Sequence, residues 1–125
     1  MENRTKTILL VEDDKALNRA VTFKLEQKGH IVISTFDAEA AFEALKNRPE
    51  IELIWLDIRL PGMDGLSFLS EIRKRPEGKD KKVVICSVSG GANAEQVGKS
   101  LGIVDYLVKS DYDLDTLVDK VVDYV

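Results

Sequence analysis

Apolar and polar positions along this chain follow two periods in strict alternation. Thr7 to Val11 (TILLV) is β-rich and almost continuously apolar, as in a strand buried on both faces. From Asp14, the predicted N-cap, the spacing lengthens to that of an amphipathic helix, with Leu17, Ala20, Val21 and Leu25 inward and Gly29 as its stop. Ile31 to Phe36 is a second strand, and Ala38 to Asn47 a second helix burying Ala38, Ala41, Phe42 and Leu45. Past Pro49 comes a third apolar run, Leu53 to Leu56, which ends abruptly in Asp57. The dipeptides Pro61-Gly62 and Asp64-Gly65 then break the chain ahead of a helix from Gly65 to Lys74 with Leu66, Leu69 and Ile72 inward. A polar loop follows, then a strand from Val83 to Val88, broken by Gly90-Gly91. A helix from Asn93 to Leu101 turns Val97 and Leu101 inward, Val104 to Val108 is the fifth strand, and Tyr112 to Tyr124 is the last helix. That last helix has the cleanest stripe: Leu114, Leu117, Val118, Val121, Val122 and Val125.

Strands alternating with helices predict βαβ units, and so a parallel five-stranded α/β sheet with helices on both faces. Right-handed crossovers and the polar Ser34 and Thr35 of the second strand, which suit an edge, point to the doubly wound order 2-1-3-4-5. The 125 residues are expected to form one domain over 1–125, with no effector domain in this chain. A net charge of −4 leaves no basic stripe to neutralise phosphates, so direct nucleic-acid binding is not expected. The one basic cluster, Arg73-Lys74-Arg75 with Lys79, Lys81 and Lys82, is diluted by Glu77 and Asp80 and reads as a solvated surface. A single cysteine, Cys86, excludes an internal disulfide. No apolar run is long enough to span a membrane and no signal-peptide core is present, so a cytoplasmic, membrane-independent protein is expected.

The ends of the strands carry the chemistry. In open parallel sheets ligands bind outside the carboxyl ends of the strands, where strand order reverses. There the first and third strands deliver Glu12, Asp13 and Asp57. Three converging carboxylates repel one another unless a cation sits among them, and a hard divalent ion such as Mg²⁺, with Mn²⁺ as an alternative, suits oxygen ligands. Asp14 is left to cap the helix. The fourth strand ends at the hydroxyl of Ser87 and the fifth at Lys109. A carboxylate nucleophile, a metal, a cation and a hydroxyl together suit phosphoryl transfer, which needs mainly in-line positioning and charge neutralisation. A dinucleotide site would need a glycine-rich turn where Glu12-Asp13-Asp14 stands.

In this order and spacing, the motifs Ile8-Leu9-Leu10-Val11-Glu12-Asp13-Asp14, Leu56-Asp57-Ile58-Arg59-Leu60-Pro61-Gly62-Met63-Asp64-Gly65, Ser87 and Asp105-Tyr106-Leu107-Val108-Lys109 resemble a response-regulator receiver domain of two-component signalling, of the chemotaxis-receiver kind, over nearly the whole chain. The resemblance implies a flavodoxin-like (βα)5 fold and a phosphorylation-activated switch rather than a turnover enzyme. It implies Asp57 as phosphoacceptor, and a Mg²⁺ or Mn²⁺ site of Glu12, Asp13, Asp57 and the backbone carbonyl of Arg59. Ser87 and Lys109 would hold the phosphoryl group, with Ser87 and Tyr106 as the switch pair. It further implies a sensor histidine kinase or phosphotransfer protein as donor, an unidentified protein effector, and a dimer through the fourth helix, fifth strand and fifth helix. The competing reading keeps the fold as a phosphorylation-independent pseudo-receiver that only binds proteins. A dehalogenase-type phosphatase is disfavoured, because Arg59 replaces its second acid.

This chain departs from the family pattern at three positions. Ser110 stands where the family has a proline after the lysine, typically in a cis bond, so Lys109–Ser110 is either trans with a reshaped loop or strained. Val88 replaces a small residue after Ser87 and is expected to narrow access to the phosphoryl group. Arg59 is expected to pair with Glu12 or a neighbouring acid and weaken metal binding. Elsewhere Trp55 and Cys86 read as core, and His30 as a solvent residue after the helix stop.

Overall fold

The structure, a computed structural model, describes residues 5–88 and 91–125, so the predicted break at Gly90 and the first four residues lie outside the described residues. Its elements are β1 (Thr7–Val11), α1 (Lys15–Gln27), β2 (Ile31–Thr35), α2 (Ala38–Asn47), β3 (Ile51–Leu56), α3 (Gly65–Ile72), β4 (Lys82–Ser87), α4 (Ala92–Ser100), β5 (Asp105–Val108), a 3-10 turn (Lys109–Asp111) and α5 (Leu114–Val122). All strand pairs are parallel, and the sheet order is β2-β1-β3-β4-β5, as the alternation predicts.

Alternating side chains divide the sheet into two cores. Ile8, Leu10, Leu53, Trp55, Val84, Cys86 and Leu107 face α1 and α5, where they meet Val21, Leu25, Leu117, Val118 and Val121. Leu9, Val11, Ile54, Leu56, Val83 and Ile85 face the opposite layer, with Ala41, Leu45, Phe68, Leu69 and Ile72 of α2 and α3. Complete burial of an aliphatic side chain of this size stabilises by about 1.5–3 kcal/mol, so the central strands β1, β3 and β4 anchor the fold. β2 is the partly exposed edge its polar residues indicate, while β5 keeps only Leu107 buried.

Several expectations need correction. Val97 is 37% exposed, and Gly98 is the one buried residue of α4, so the short stripe read there is turned by about one position. Phe68, absent from the expected α3 face, is fully buried, while Leu66 only packs against that core from the edge. Arg73 is not part of a solvated cluster. Its guanidinium donates to the carbonyls of Leu101 (2.7 Å), Gly78 (3.0 Å), Lys81 (2.7 Å), Lys79 (3.4 Å) and Gly102 (3.2 Å). His30 is partly buried, and its Nδ1 accepts from the Lys6 backbone N–H at 3.2 Å. The described residues contain no cis peptide, so Lys109–Ser110 is trans and the chain reshapes through the 3-10 turn. That turn delays α5, whose N-cap is Asp113.

Candidate functional site

Parallel register decides which residues leave the sheet together. Val11 lies opposite Leu56, so Glu12 and Asp57 follow side by side at the carboxyl edge. The Asp57 N–H donates to the Val11 carbonyl (3.0 Å) and the Glu12 N–H to the Thr35 carbonyl (3.1 Å), which extends the ladder by one residue on each side of β1. Asp14 then caps α1 by accepting from Leu17 N–H at 3.1 Å, as predicted. Glu12 and Asp57 are buried, at 1% and 4% exposure, while Asp13 is exposed. One carboxylate oxygen from each of the three lies within 4.8 Å of the others. A hard-oxygen cluster of that size fits a divalent cation with a few carboxylate ligands and waters.

Lys109 reaches this cluster from the end of β5. Its ammonium donates to Glu12 Oε1 at 2.5 Å and lies 3.6 Å from Asp57 Oδ2. Burial raises the pKa of Glu12 even though Lys109 and the N–H of Asp14 pull the other way. Burial also works against a charged Lys109, but the Glu12 hydrogen bond and the Asp57 charge outweigh it and hold the ammonium protonated. Arg59 behaves differently from its expectation. Its N–H donates to Asp57 Oδ1 at 3.3 Å, yet its side chain is exposed and makes no ion pair among the described residues. Glu12 is already taken by the better-placed Lys109. Arg59 instead lines an open groove of about 640 Å³ with Asp13, Ile58, Leu60, Pro61, Asp64 and Leu66.

Ser87 ends β4 with 4% exposure, and Val88 after it is 48% exposed. The β4–β5 register pairs Ile85 with Tyr106 and Ser87 with Val108, which puts Ser87 and Tyr106 on the same face, the one carrying α3 and α4. Tyr106 is partly buried against that core. The structure therefore brings together Glu12, Asp13, Asp57 and Lys109, with the Arg59 backbone beside them. It also sets Ser87 and Tyr106 on one side of the sheet.

Two contributors were missed in the sequence. Gly65, read as a breaker at the head of the third helix, is the first residue of α3 as expected, but its packing role was not foreseen; its N–H donates to the Ile58 carbonyl at 2.7 Å. A Cβ there would sit 2.2 Å from the Asp57 carbonyl oxygen and 2.8 Å from Ile58 Cα, so only glycine lets α3 seat against the Asp57 loop. Asn18 is a buried polar residue of α1 bonded to the Glu12 carbonyl. Its one sequence signal is its place three and seven residues before the core positions Val21 and Leu25.

Comparison with known proteins follows the same lines. A family profile described as the response regulator receiver domain matches residues 8–122. The phosphate regulon transcriptional regulatory protein PhoB of Escherichia coli is 33% identical over 104 residues, covering 83% of this chain and 45% of PhoB. The chain thus spans less than half the length of that relative. The response regulator Rcp1 of Synechocystis is 36% identical over 116 residues, covering 86% of this chain and 79% of Rcp1. The crystal structure of Rcp1 in its Mn²⁺-bound form superposes with a TM-score of 0.79 at 35% identity, covering 93% of this chain and 88% of that one. The phosphorylated cyanobacterial phytochrome response regulator RcpA gives 0.83 at 31% identity, covering 97% and 91%.

Proposed function

This chain belongs to the response regulator receiver family of two-component signalling, and on that footing we propose that it is a switch set by phosphorylation of Asp57. The observation that carries the reading is the convergence of buried Asp57, Glu12, Asp13 and the Lys109 ammonium at one strand edge. A pure binding module would have no use for two buried acids and a partly buried cation in one crevice, since each opposes burial.

In the reaction, a carboxylate oxygen of Asp57 attacks the phosphorus of a phosphohistidine on a sensor kinase or phosphotransfer protein. The new O–P bond forms as the P–N bond breaks, and the imidazole leaves with its electron pair. Small acyl phosphates are alternative donors. Glu12, Asp13, Asp57 and the Arg59 carbonyl would hold Mg²⁺ or Mn²⁺, in keeping with the metal-bound form of Rcp1. That ion, when bound, neutralises charge on the transferring phosphoryl oxygens. Lys109, already held protonated beside Asp57, supplies a second positive charge to the product. Ser87 donates its hydroxyl to the phosphoryl group, and Tyr106, on the same face, turns into the space Ser87 leaves. The surface of α4, β5 and α5 changes as a result, and with it the affinity for a protein effector or for a second copy. No described helix is long and apolar enough to cross a membrane, which suits action in the cytoplasm beside a kinase. The formal charge of −4 supplies no basic stripe to neutralise phosphates, which argues against direct nucleic-acid binding.

Intact-mass spectrometry after incubation with acetyl phosphate and Mg²⁺ tests the assignment. The expected result is a gain of one phosphoryl group, absent in Asp57→Asn. An unmodified wild-type chain, or an adduct that survives in Asp57→Asn, removes it.

A further inference from the structure

Asn18 lies at 1% exposure under the turn that carries the acids, and every hydrogen-bonding position of its side chain is used. Its Nδ2 donates to the carbonyl oxygens of Glu12 (3.0 Å) and Thr35 (3.1 Å). Its Oδ1 accepts from the hydroxyls of Ser34 (2.5 Å) and Thr22 (3.4 Å). Carbonyl oxygens can only accept, so the amide orientation is fixed: the flipped rotamer would set oxygen against oxygen twice. The Thr35 carbonyl that Asn18 holds is the one that receives the Glu12 N–H. Thr35 is itself anchored by its hydroxyl, which donates to the Leu10 carbonyl at 2.7 Å. Both polar groups of the Glu12 backbone are thereby tied, one to β2 directly and one to β2 through Asn18.

The consequence for the acids follows from peptide planarity. The Glu12 carbonyl belongs to the rigid peptide unit joining Glu12 to Asp13, so fixing that oxygen fixes ψ of Glu12 and φ of Asp13 together. Those two angles set how the neighbouring carboxylates diverge. A turn between a strand and a helix N-cap has no ladder partner of its own to do this. Asn18 supplies one from the next turn of α1.

We propose that Asn18 is a positioning residue for cation binding: by holding the Glu12–Asp13 peptide against the end of β2, it sets the directions in which Glu12 and Asp13 present their carboxylates. The inference rests on the reading of these acids as a divalent-cation site. Removing the amide leaves the Glu12 carbonyl buried without that partner and lets the peptide rotate, so affinity falls while the three carboxylates stay in the chain. Outer partners of metal ligands typically govern affinity by 10–100-fold, and a loss of about that size is expected in Asn18→Ala.

Titration with Mn²⁺, followed by the paramagnetic resonance of the free ion, reads the affinity of the folded protein directly. Asn18→Ala is expected to bind roughly 10–100-fold more weakly than wild type. Ser34→Ala, a substitution at an exposed edge position that frees only the Oδ1 side, is expected to weaken binding less and in the same direction. Val21→Ala opens a cavity on the buried face of the same helix and serves as the structural control: it should lower stability and keep wild-type affinity. Wild-type affinity in Asn18→Ala, or an equal loss in Val21→Ala, overturns the positioning role alone. Failure of the wild-type chain to bind Mn²⁺ overturns the cation site and the inference with it. Should Asn18→Ala not fold, Ser34→Ala decides: unchanged affinity there counts against the proposal.

Discussion

Asp14, Asp37, Asp64 and Asp113 each cap their helix by accepting a first-turn backbone N–H, whereas α4 starts at Gly91 with no side-chain cap. The same contrast runs through the crevice. On the acid side, β1 and every residue of β3 but Glu52 are buried, and Asn18, Thr35 and the strand ladder tie the backbone around Glu12. On the other side, α4 buries only Gly98, and β5 only Leu107. At the carboxyl edge Lys109 reaches across to Glu12 and Asp57, and further ties of that half lie at its far end. Arg73 holds the carbonyls of Leu101 and Gly102 where α4 ends, and Tyr124, at the end of α5, donates to the Asp105 carboxylate where β5 begins. In a parallel sheet the helix C-termini lie opposite the carboxyl edge. This half is thus fastened at its base, and beside the acid cluster the link to Glu12 and Asp57 is the Lys109 side chain. On the proposed function, the more deeply buried half carries the acids and the more exposed half is the one that would respond.

Substitutions can break this contrast from either side. The largest effect is expected from Gly65→Ala on the acid side. A Cβ 2.2 Å from the Asp57 carbonyl cannot be relieved by a side-chain shift, so α3 or the Asp57 loop must move. A loss of about 3 kcal/mol or more is expected in urea denaturation, at the upper end of overpacking effects. Arg73→Met removes the charged donor shared by the carbonyls at the base of α4. It should cost about 2 kcal/mol and raise amide exchange in α4 well before α1 is affected. Equal acceleration in α1 would show that Arg73 is not local to the more exposed half.

Tyr124→Phe is a smaller test of the same half. The hydrogen bond to Asp105 pushes the Tyr124 hydroxyl up to about 12, so its folded pKa lies above the ordinary value of 10.0. Its contribution is therefore fully present below about pH 10 and lost as pH rises toward 12. The variant should be about 0.5–1 kcal/mol less stable at neutral pH and should lack that alkaline loss. The smallest effect concerns His30 at the base of α1. Burial, then the charges of Lys28 and Lys6, lower its pKa, and its Nδ1 must stay unprotonated to accept from Lys6. The unfolded chain takes up that proton first, so stability is full above about 6.5 and falls as pH drops below it. A thermal-denaturation series from pH 7 to 5 should show a shallow decline that His30→Gln flattens.

Much of this was legible in the chain because strands that are buried on both faces have only one thing to read, and it stops abruptly. TILLV ends at Glu12 and LIWL at Asp57, so the acids announce themselves as polar residues at the end of apolar runs. Lys109 follows the same logic. What was hidden lies where a residue's type contradicts its job. Asn18 and Arg73 look like surface residues and do their work by saturating buried or half-buried carbonyls, whose positions only the fold reveals. Gly65 looked like a breaker at a helix start and matters for a contact with a residue eight positions earlier. Arg59 was expected to pair with Glu12 or a neighbouring acid because it follows Asp57 by two residues, but Glu12 is held by Lys109, which comes from the far strand and points the right way. The short α4 carried too few apolar residues to phase its stripe, and its light burial is the reason.

Hydrogen exchange across the described chain, with and without beryllofluoride and Mg²⁺, tests the central claim most directly. If Asp57 is the trigger and the half beyond β4 is the responder, the anion should change protection in α4, β5 and the 3-10 turn while β1, β3 and the core of α1 stay as they were. Protection that changes in the acid half alone, or nowhere at all in a chain that takes up the anion, would contradict the account.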